Sequence, residues 1–139
     1  MGTGDWLEFY VWNEIINAGL ADERHCQWGC HVLDGNIERE FDLALIYKAQ
    51  LIVAECKAEY NPFKAEKQYL HKLAAKANVL GGSYVGKVFI TNQPGTGDSI
   101  KSFREQAEQY QILIVTKEQL PDIARIMEQE AKNPKYRRI

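Results

Sequence analysis

Residues 42–57, DLALIYKAQLIVAECK, form two apolar runs on either side of a short polar break, the first opened by Asp42 and the second ending Glu55-Cys56-Lys57. That is the pattern of two apolar strands joined by a turn. It predicts one strand over residues 37–47 and another over 51–57. Residues 26–33 read as a strand before them, with Asp34-Gly35-Asn36 as the hairpin turn. A helical period governs residues 5–19, with Asp5 as N-cap, Glu8 three residues on as in a capping box, and Gly19 as the stop. With Glu8 at zero on a wheel of about 100° per residue, Val11, Trp12 and Ile15 fall within about 60° of it. Tyr10, Asn13 and Asn17 lie opposite.

Downstream, Asn61-Pro62 marks the start of a helix over residues 63–80, ended by Gly81-Gly82. Residues 87–91, KVFIT, form an apolar strand. The following NQPGTGD is a turn-rich loop, without the Lys-Ser/Thr ending of a phosphate cradle. A helix then runs from Asp98 or Ser99 to about Tyr110, and residues 112–116 form a short strand. Thr116, with Gln119 three residues on, can cap a helix directly. Pro121 would remove a bond in that helix, so the main helix can instead begin at Pro121 and run to about Ala131. The order is α-β-β-β-α-β-α-β-α. It predicts an α/β fold of one domain over residues 1–139: three antiparallel strands, then crossovers that add parallel strands, with helices on both faces of a mixed sheet.

The charges within this pattern stand where a strand would place valine or isoleucine. Alternation puts Glu38, Glu40, Asp42, Ala44 and Ile46 on one face, and Phe41, Leu43 and Leu45 on the other. On the next strand Val53, Glu55 and Lys57 share a face, opposite Ile52, Ala54 and Cys56. A turn over Lys48-Ala49 sets Asp42 opposite Glu55; a turn over Ala49-Gln50 sets it opposite Lys57. Either register brings Asp42 beside the Glu55/Lys57 pair. Two opposed carboxylates are destabilising unless something positive lies between them. A bound divalent cation meets that need; an ion pair of Lys57 with one carboxylate would leave the other acid unpaired. Glu8, on the apolar face of its helix, either closes the capping box alone or points at the same site.

Composition changes this picture little. The 139 residues are 45% hydrophobic and 26% charged, ordinary for a globular domain. No apolar run reaches the roughly 20 residues of a membrane span, and MGTGDWLEF lacks a signal-peptide profile, so a cytoplasmic protein is expected. Three cysteines argue against a disulfide framework. HCQWGCH has the look of a zinc knuckle, but no second Cys/His pair follows at zinc-finger spacing. Cys26 and Cys30 are therefore read as thiols on a strand, and Trp6, Trp12 and Trp28 as core. The net charge of −2 is not that of a strongly basic nucleic-acid binder. Lys57, Lys64, Lys67, Lys72 and Lys76 nevertheless cluster just after the acids, as a solvated face or as a phosphate-facing patch.

Carboxylate oxygens suit Mg²⁺ or Mn²⁺, which take one or two protein carboxylates and otherwise water and substrate phosphate. Asp42 and Glu55 are the candidate ligands, with the Cys56 carbonyl as a third donor and Glu8 holding water nearby. Lys57 can orient the attacking water and stabilise charge on the scissile phosphate. The chemistry is metal-assisted phosphodiester hydrolysis.

Asp42, twelve residues, then Glu55-Cys56-Lys57 has the form D-Xn-E-X-K. With a helical acid upstream and the α-β-β-β-α-β order, the chain resembles the PD-(D/E)XK nuclease superfamily, with its restriction-endonuclease-like core. Phe41 stands where many members carry proline. The resemblance implies two metal-binding acids, Asp42 and Glu55, an assisting Lys57, and Glu8 as the helical acid. More narrowly, GDWLEFYVWNEI, EREFDLALIYKAQLIVAECK and KLAAKANVLGGSYVGKVFI are similar to the C-terminal nuclease domain of CRISPR-associated CARF–nuclease effectors. That resemblance implies nucleic-acid cleavage in antiviral defence, a homodimer, and a cyclic-oligoadenylate sensor domain for which this chain has no room. It also places Glu40 near the site as a further candidate ligand and Lys72 as a phosphate contact, with Lys67 and Lys76 beside it. Two other readings use the same residues. A Holliday-junction resolvase or repair nuclease would be expected to be more basic. A nuclease fold reduced to a binding module has no reason to keep Asp42, Glu55 and Lys57 together.

Overall fold

The hairpin predicted from the two apolar runs lies at the centre of the sheet. In the computed structural model, which describes residues 5–81 and 84–136, β1 (Cys26–Asp34), β2 (Ile37–Tyr47) and β3 (Gln50–Lys57) follow helix α1 (Asp5–Asn17). After α2 (Tyr69–Asn78) come β4 (Gly86–Thr91), α3 (Asp98–Tyr110), β5 (Leu113–Val115) and α4 (Ile123–Lys132). Among the described residues the sheet runs in the order β1-β2-β3-β4-β5. β1, β2 and β3 are antiparallel; β4 and β5 are parallel to β3. This is the mixed α/β, restriction-endonuclease-like architecture that the element order predicts.

Two apolar clusters, one on each face, hold the layers together. Leu7, Val11 and Ile15 of α1 and Ile123 and Met127 of α4 pack on Leu43, Leu45, Ile52, Ala54, Cys56, Val88 and Ile90. On the other face Leu70, Leu73 and Ala77 of α2 and Ile100, Phe103 and Ala107 of α3 pack on Phe41, Val53 and Phe89. The i, i+4 spacing of the α1 residues puts them on one side of the helix, which is why that side is the buried one. Gly19 follows α1 at φ +73, the left-handed stop the sequence predicts. The side chain of Asp5, expected as its cap, lies outside the described residues, as do Gly82 and the last three residues of the basic tail.

The β2–β3 turn is Lys48-Ala49: Tyr47 pairs with Gln50 and Leu43 with Ala54. Both turn residues have left-handed backbone, φ 48 and 68. That geometry matches the twist of a two-residue hairpin, although asparagine and glycine adopt it more easily. Carried one step further, the same register sets Asp42 opposite Glu55.

Four expectations need correction. Phe41 does not share a face with Leu43 and Leu45; it packs against α2 and α3 while they pack against α1 and α4. The alternation breaks at Asp42. There the β1–β2 pairing skips a step between Trp28↔Leu43 and Cys30↔Phe41, and the residue across is Gly29 at φ +64, a conformation glycine adopts without a Cβ clash. The helix expected over residues 63–80 is shorter. Ala65–Lys67 form one 3-10 turn, Gln68 is left-handed at φ 55, and α2 begins at Tyr69. The last helix begins at Ile123 rather than at Pro121. Thr116 and Gln119 do form the capping box, but it opens a 3-10 stretch, Lys117–Asp122, that accommodates Pro121. Finally, Trp6 and Trp28 are 43% and 38% exposed. Only Trp12 tucks in, its indole N–H donating to the Cys26 carbonyl at 2.9 Å.

Candidate active site

Asp42 stands where regular pairing of β2 with β3 ends, and its side chain takes over from the ladder. Oδ2 accepts the backbone N–H of Cys56 at 2.8 Å. This bond fixes the carboxylate against β3, beside Glu55. The two carboxyl groups are within hydrogen-bonding reach of one another. Glu55 is only 8% exposed. Burial, then the hydrogen bond and charge of Asp42, push its carboxyl up to about 8, against the opposing pull of Lys76. A carboxylate in this position is short of positive charge even with a lysine on it.

That lysine comes from α2. Lys76 Nζ forms an ion pair with Glu55 Oε1, donates to the Glu40 carbonyl at 2.6 Å, and lies 5.1 Å from the centre of the Phe41 ring. Lys57, two residues after Glu55 and on the same side of β3, has its ammonium 4.6 Å from the centre of the Tyr69 ring. Lys72 lies 6.0 Å from the same ring. The Tyr69 hydroxyl donates to Glu59 Oε1 at 2.6 Å; burial and this carboxylate push it up to about 12. Lys67 pairs with Glu59 and donates to the Asn61 carbonyl at 2.8 Å. Glu55, Lys57, Tyr69, Lys72, Leu73 and Lys76 line a cleft of about 140 Å³.

The Cys56 thiol reports the remaining geometry. Burial raises it well above its ordinary range, the charges of Asp42, Glu8 and Glu55 add to that, and Lys57 opposes them. The charges of the four residues singled out in the sequence are thus all felt at the Cys56 thiol, that of Glu8 from α1. Of the others, Lys72 and Lys76 line the cleft, and Lys67 turns away to Glu59. Glu40 is exposed and contributes its backbone carbonyl, not its carboxylate, to Lys76. The two knuckle cysteines face opposite sides of the sheet, Cys26 toward α1 and Cys30 toward the hollow beside Phe41. His25 pairs with Asp22 and His31 with Glu38.

Sequence reasoning missed Tyr69 and Glu59. The signals were present: Tyr69, Lys72 and Lys76 follow the i, i+3, i+7 spacing of one helix face, and Glu59 continues the Glu-x-Lys-x-Glu alternation past Lys57. Among the described residues no three His, Cys, Asp or Glu side chains converge as a metal cage. Asp42 and Glu55 offer two carboxylates instead, a number that fits an ion keeping most of its ligands as water and phosphate, as Mg²⁺ and Mn²⁺ do.

No helix among the described residues is long and apolar enough to cross a membrane. No curated protein matches the chain. Solved structures do. Protein VC1899 from Vibrio cholerae superposes with a TM-score of 0.73 at 20% identity, over 93% of this chain and 34% of that one. Can2 from Sulfobacillus thermosulfidooxidans, solved in complex with cyclic tetra-adenylate, superposes with a TM-score of 0.69 at 17% identity, over 91% of this chain and 37% of that one. At these identities the likeness is one of fold, and the chain spans about a third of the length of either protein. The family model of the Card1-like endonuclease domain matches residues 1–133, and with nearly the whole chain covered by that match, this protein belongs to the Card1-like endonuclease domain family.

Proposed function

We propose that this domain is a Mg²⁺- or Mn²⁺-dependent endonuclease that hydrolyses phosphodiester bonds of DNA or RNA. The observation that carries the reading is the Asp42–Glu55 pair. Two carboxyl groups are held together at the end of a buried strand hairpin, with Lys57 two residues on and a cleft lined by lysines in front of them. Asp42 and Glu55 would hold the ion, with the Cys56 carbonyl beside them and Glu8 adding negative charge from α1. Bound there, the ion would polarise the phosphoryl oxygen and lower the pKa of water. Lys57 orients the attacking water and stabilises the oxyanion that develops on phosphorus, while the bridging sugar oxygen leaves. The ring of Tyr69 keeps the Lys57 ammonium over the cleft, and Lys72 contacts the flanking phosphate. Positive charge concentrated here, on a chain of net charge −2, confines phosphate binding to this mouth.

Family membership and the likeness to Can2 support a role in CRISPR-linked antiviral defence. They also support control by a sensor of a cyclic oligoadenylate, carried by another domain or chain. A homodimer is part of the proposal, because two-fold pairing would present two sites to two strands; the mass in solution tests it. Cleavage is tested on single- and double-stranded DNA, RNA, supercoiled plasmid and four-way junctions, each with Mg²⁺, Mn²⁺ or EDTA. Cutting that requires the metal and is lost in Lys57→Ala supports the mechanism; Lys57→Ala cutting normally refutes it.

A further inference from the structure

We propose that Lys76 is an internal counter-cation of the acid pair that competes with a divalent ion for Glu55, so that this one lysine on α2 sets the metal affinity of the site. The proposal rests on the reading of Asp42 and Glu55 as metal ligands. Lys76 is not an ordinary cleft lysine. Its ammonium is held by oxygens from two strands, the Glu55 carboxylate on β3 and the Glu40 carbonyl on β2, and it lies over the Phe41 ring. Its side chain is 24% exposed, and that of Glu55 10%. The neighbouring turns of α2 are fixed in the core by Leu73 and Ala77. Lys72, one turn earlier on the same helix, reaches Tyr69 and not the acids. A seat built of two oxygens and an aromatic face is a cation seat, and a single-charge cation fills it.

A divalent ion binding Glu55 would lie about 2.1 Å from a carboxylate oxygen. An ammonium on that same oxygen would then be a few ångströms from the ion, and two cations at that separation repel strongly in a half-buried site. The two therefore alternate. With an ion bound, Lys76 would leave Glu55 and its ammonium would turn toward the cleft mouth, which Lys57 and Lys72 also line. Lys76 thus offsets the charge of the acids before the ion arrives and contributes to phosphate binding afterwards.

The test is Mn²⁺ binding by titration calorimetry at pH 8.5, with no nucleic acid present. Lys76→Met keeps the aliphatic stem against Phe41 and removes the charge; it should bind Mn²⁺ about tenfold more tightly than the unmodified chain, the size expected of one displaced ion pair. Lys76→Arg keeps the charge and should bind like the unmodified chain. Lys67→Met, which breaks the pair with Glu59 and the bond to the Asn61 carbonyl and touches neither Asp42 nor Glu55, should leave Mn²⁺ affinity unchanged. Circular dichroism of each variant checks the fold. Equal or weaker binding by Lys76→Met overturns the competition while leaving the metal site standing. No Mn²⁺ binding by any form overturns both the competition and the reading on which it rests.

Discussion

Two glutamate–lysine pairs lie on either side of Lys57, and they behave in opposite ways. Glu55 with Lys76 is nearly buried, and its carboxyl is pushed up to about 8. Glu59 with Lys67 is half-exposed, and its carboxyl is lowered. The pairing chemistry is the same; the surroundings differ. At Glu59, burial is again the largest influence, but hydrogen bonds from Lys67 and Tyr69 and the charges of Lys67 and Lys57 together outweigh it. At Glu55 burial is greater, and Asp42 adds a second negative charge and a hydrogen bond on the same side of the balance. One pair is complete and ties the segment after β3 to the start of α2. The other is short of positive charge, and that shortage is the physical argument for a divalent ion.

Breaking each pair should therefore have unequal consequences. Glu55→Ala or Lys57→Ala should lower Mn²⁺-dependent cleavage by about 10²-fold or more with the fold retained by circular dichroism. Glu59→Ala removes the partner of Lys67 and the acceptor of the Tyr69 hydroxyl but neither carboxylate of the acid pair, and should lower it about tenfold at most. Equal losses in the two would erase the distinction between the pairs.

A smaller effect, in stability, sharpens the same contrast in EDTA. A carboxyl whose folded pKa is raised stabilises the fold fully below its unfolded pKa, 4.5, and loses that contribution as pH rises through about 8. Glu55→Gln should therefore gain on the unmodified chain across that window, by on the order of a few kcal/mol at most. Glu59 has the opposite sign. Its contribution is present above its unfolded value of 4.5 and is lost as pH falls through its lower folded pKa. Glu59→Gln should be less stable at neutral pH, with the gap closing in acid. Urea midpoints from pH 4 to 9 measure both.

The smallest effect concerns how Lys57 is seated. Tyr69→Phe keeps the ring beneath the ammonium and loses only the hydroxyl bond to Glu59; Tyr69→Leu loses the ring as well. A cation–π contact is worth about 0.5–2 kcal/mol, so Tyr69→Leu should lower kcat several-fold below Tyr69→Phe, with KM moving less.

The sequence carries the charged pair more clearly than its surroundings. Asp42, Glu55 and Lys57 are legible because charges on an apolar strand pattern are conspicuous, and because either turn register brings them together. The Lys48-Ala49 register is not uniquely legible, since neither residue advertises the left-handed backbone both adopt. The side on which Phe41 packs is hidden for a related reason. Gly29 breaks the alternation from the neighbouring strand, and a period-two count along β2 cannot see it. The lysines look equivalent when residues 63–80 are read as one helix. Left-handed Gln68 divides that stretch, leaving Lys67 in a turn that serves Glu59 and Lys76 on a helix that serves Glu55. Trp6 and Trp28 show the limit of hydrophobicity as a guide to burial, since a large ring on α1 or an edge strand can sit at the surface without leaving the pattern.

The most direct measurement is cleavage of labelled DNA and RNA by the unmodified chain and by Glu55→Ala, each in Mg²⁺, Mn²⁺ and EDTA. Cleavage by the unmodified chain in at least one metal, abolished by EDTA and by Glu55→Ala, is the expected result. Cleavage that persists in EDTA, or in Glu55→Ala at the unmodified rate, would contradict the assignment of the Asp42–Glu55 pair as the metal site of a nuclease.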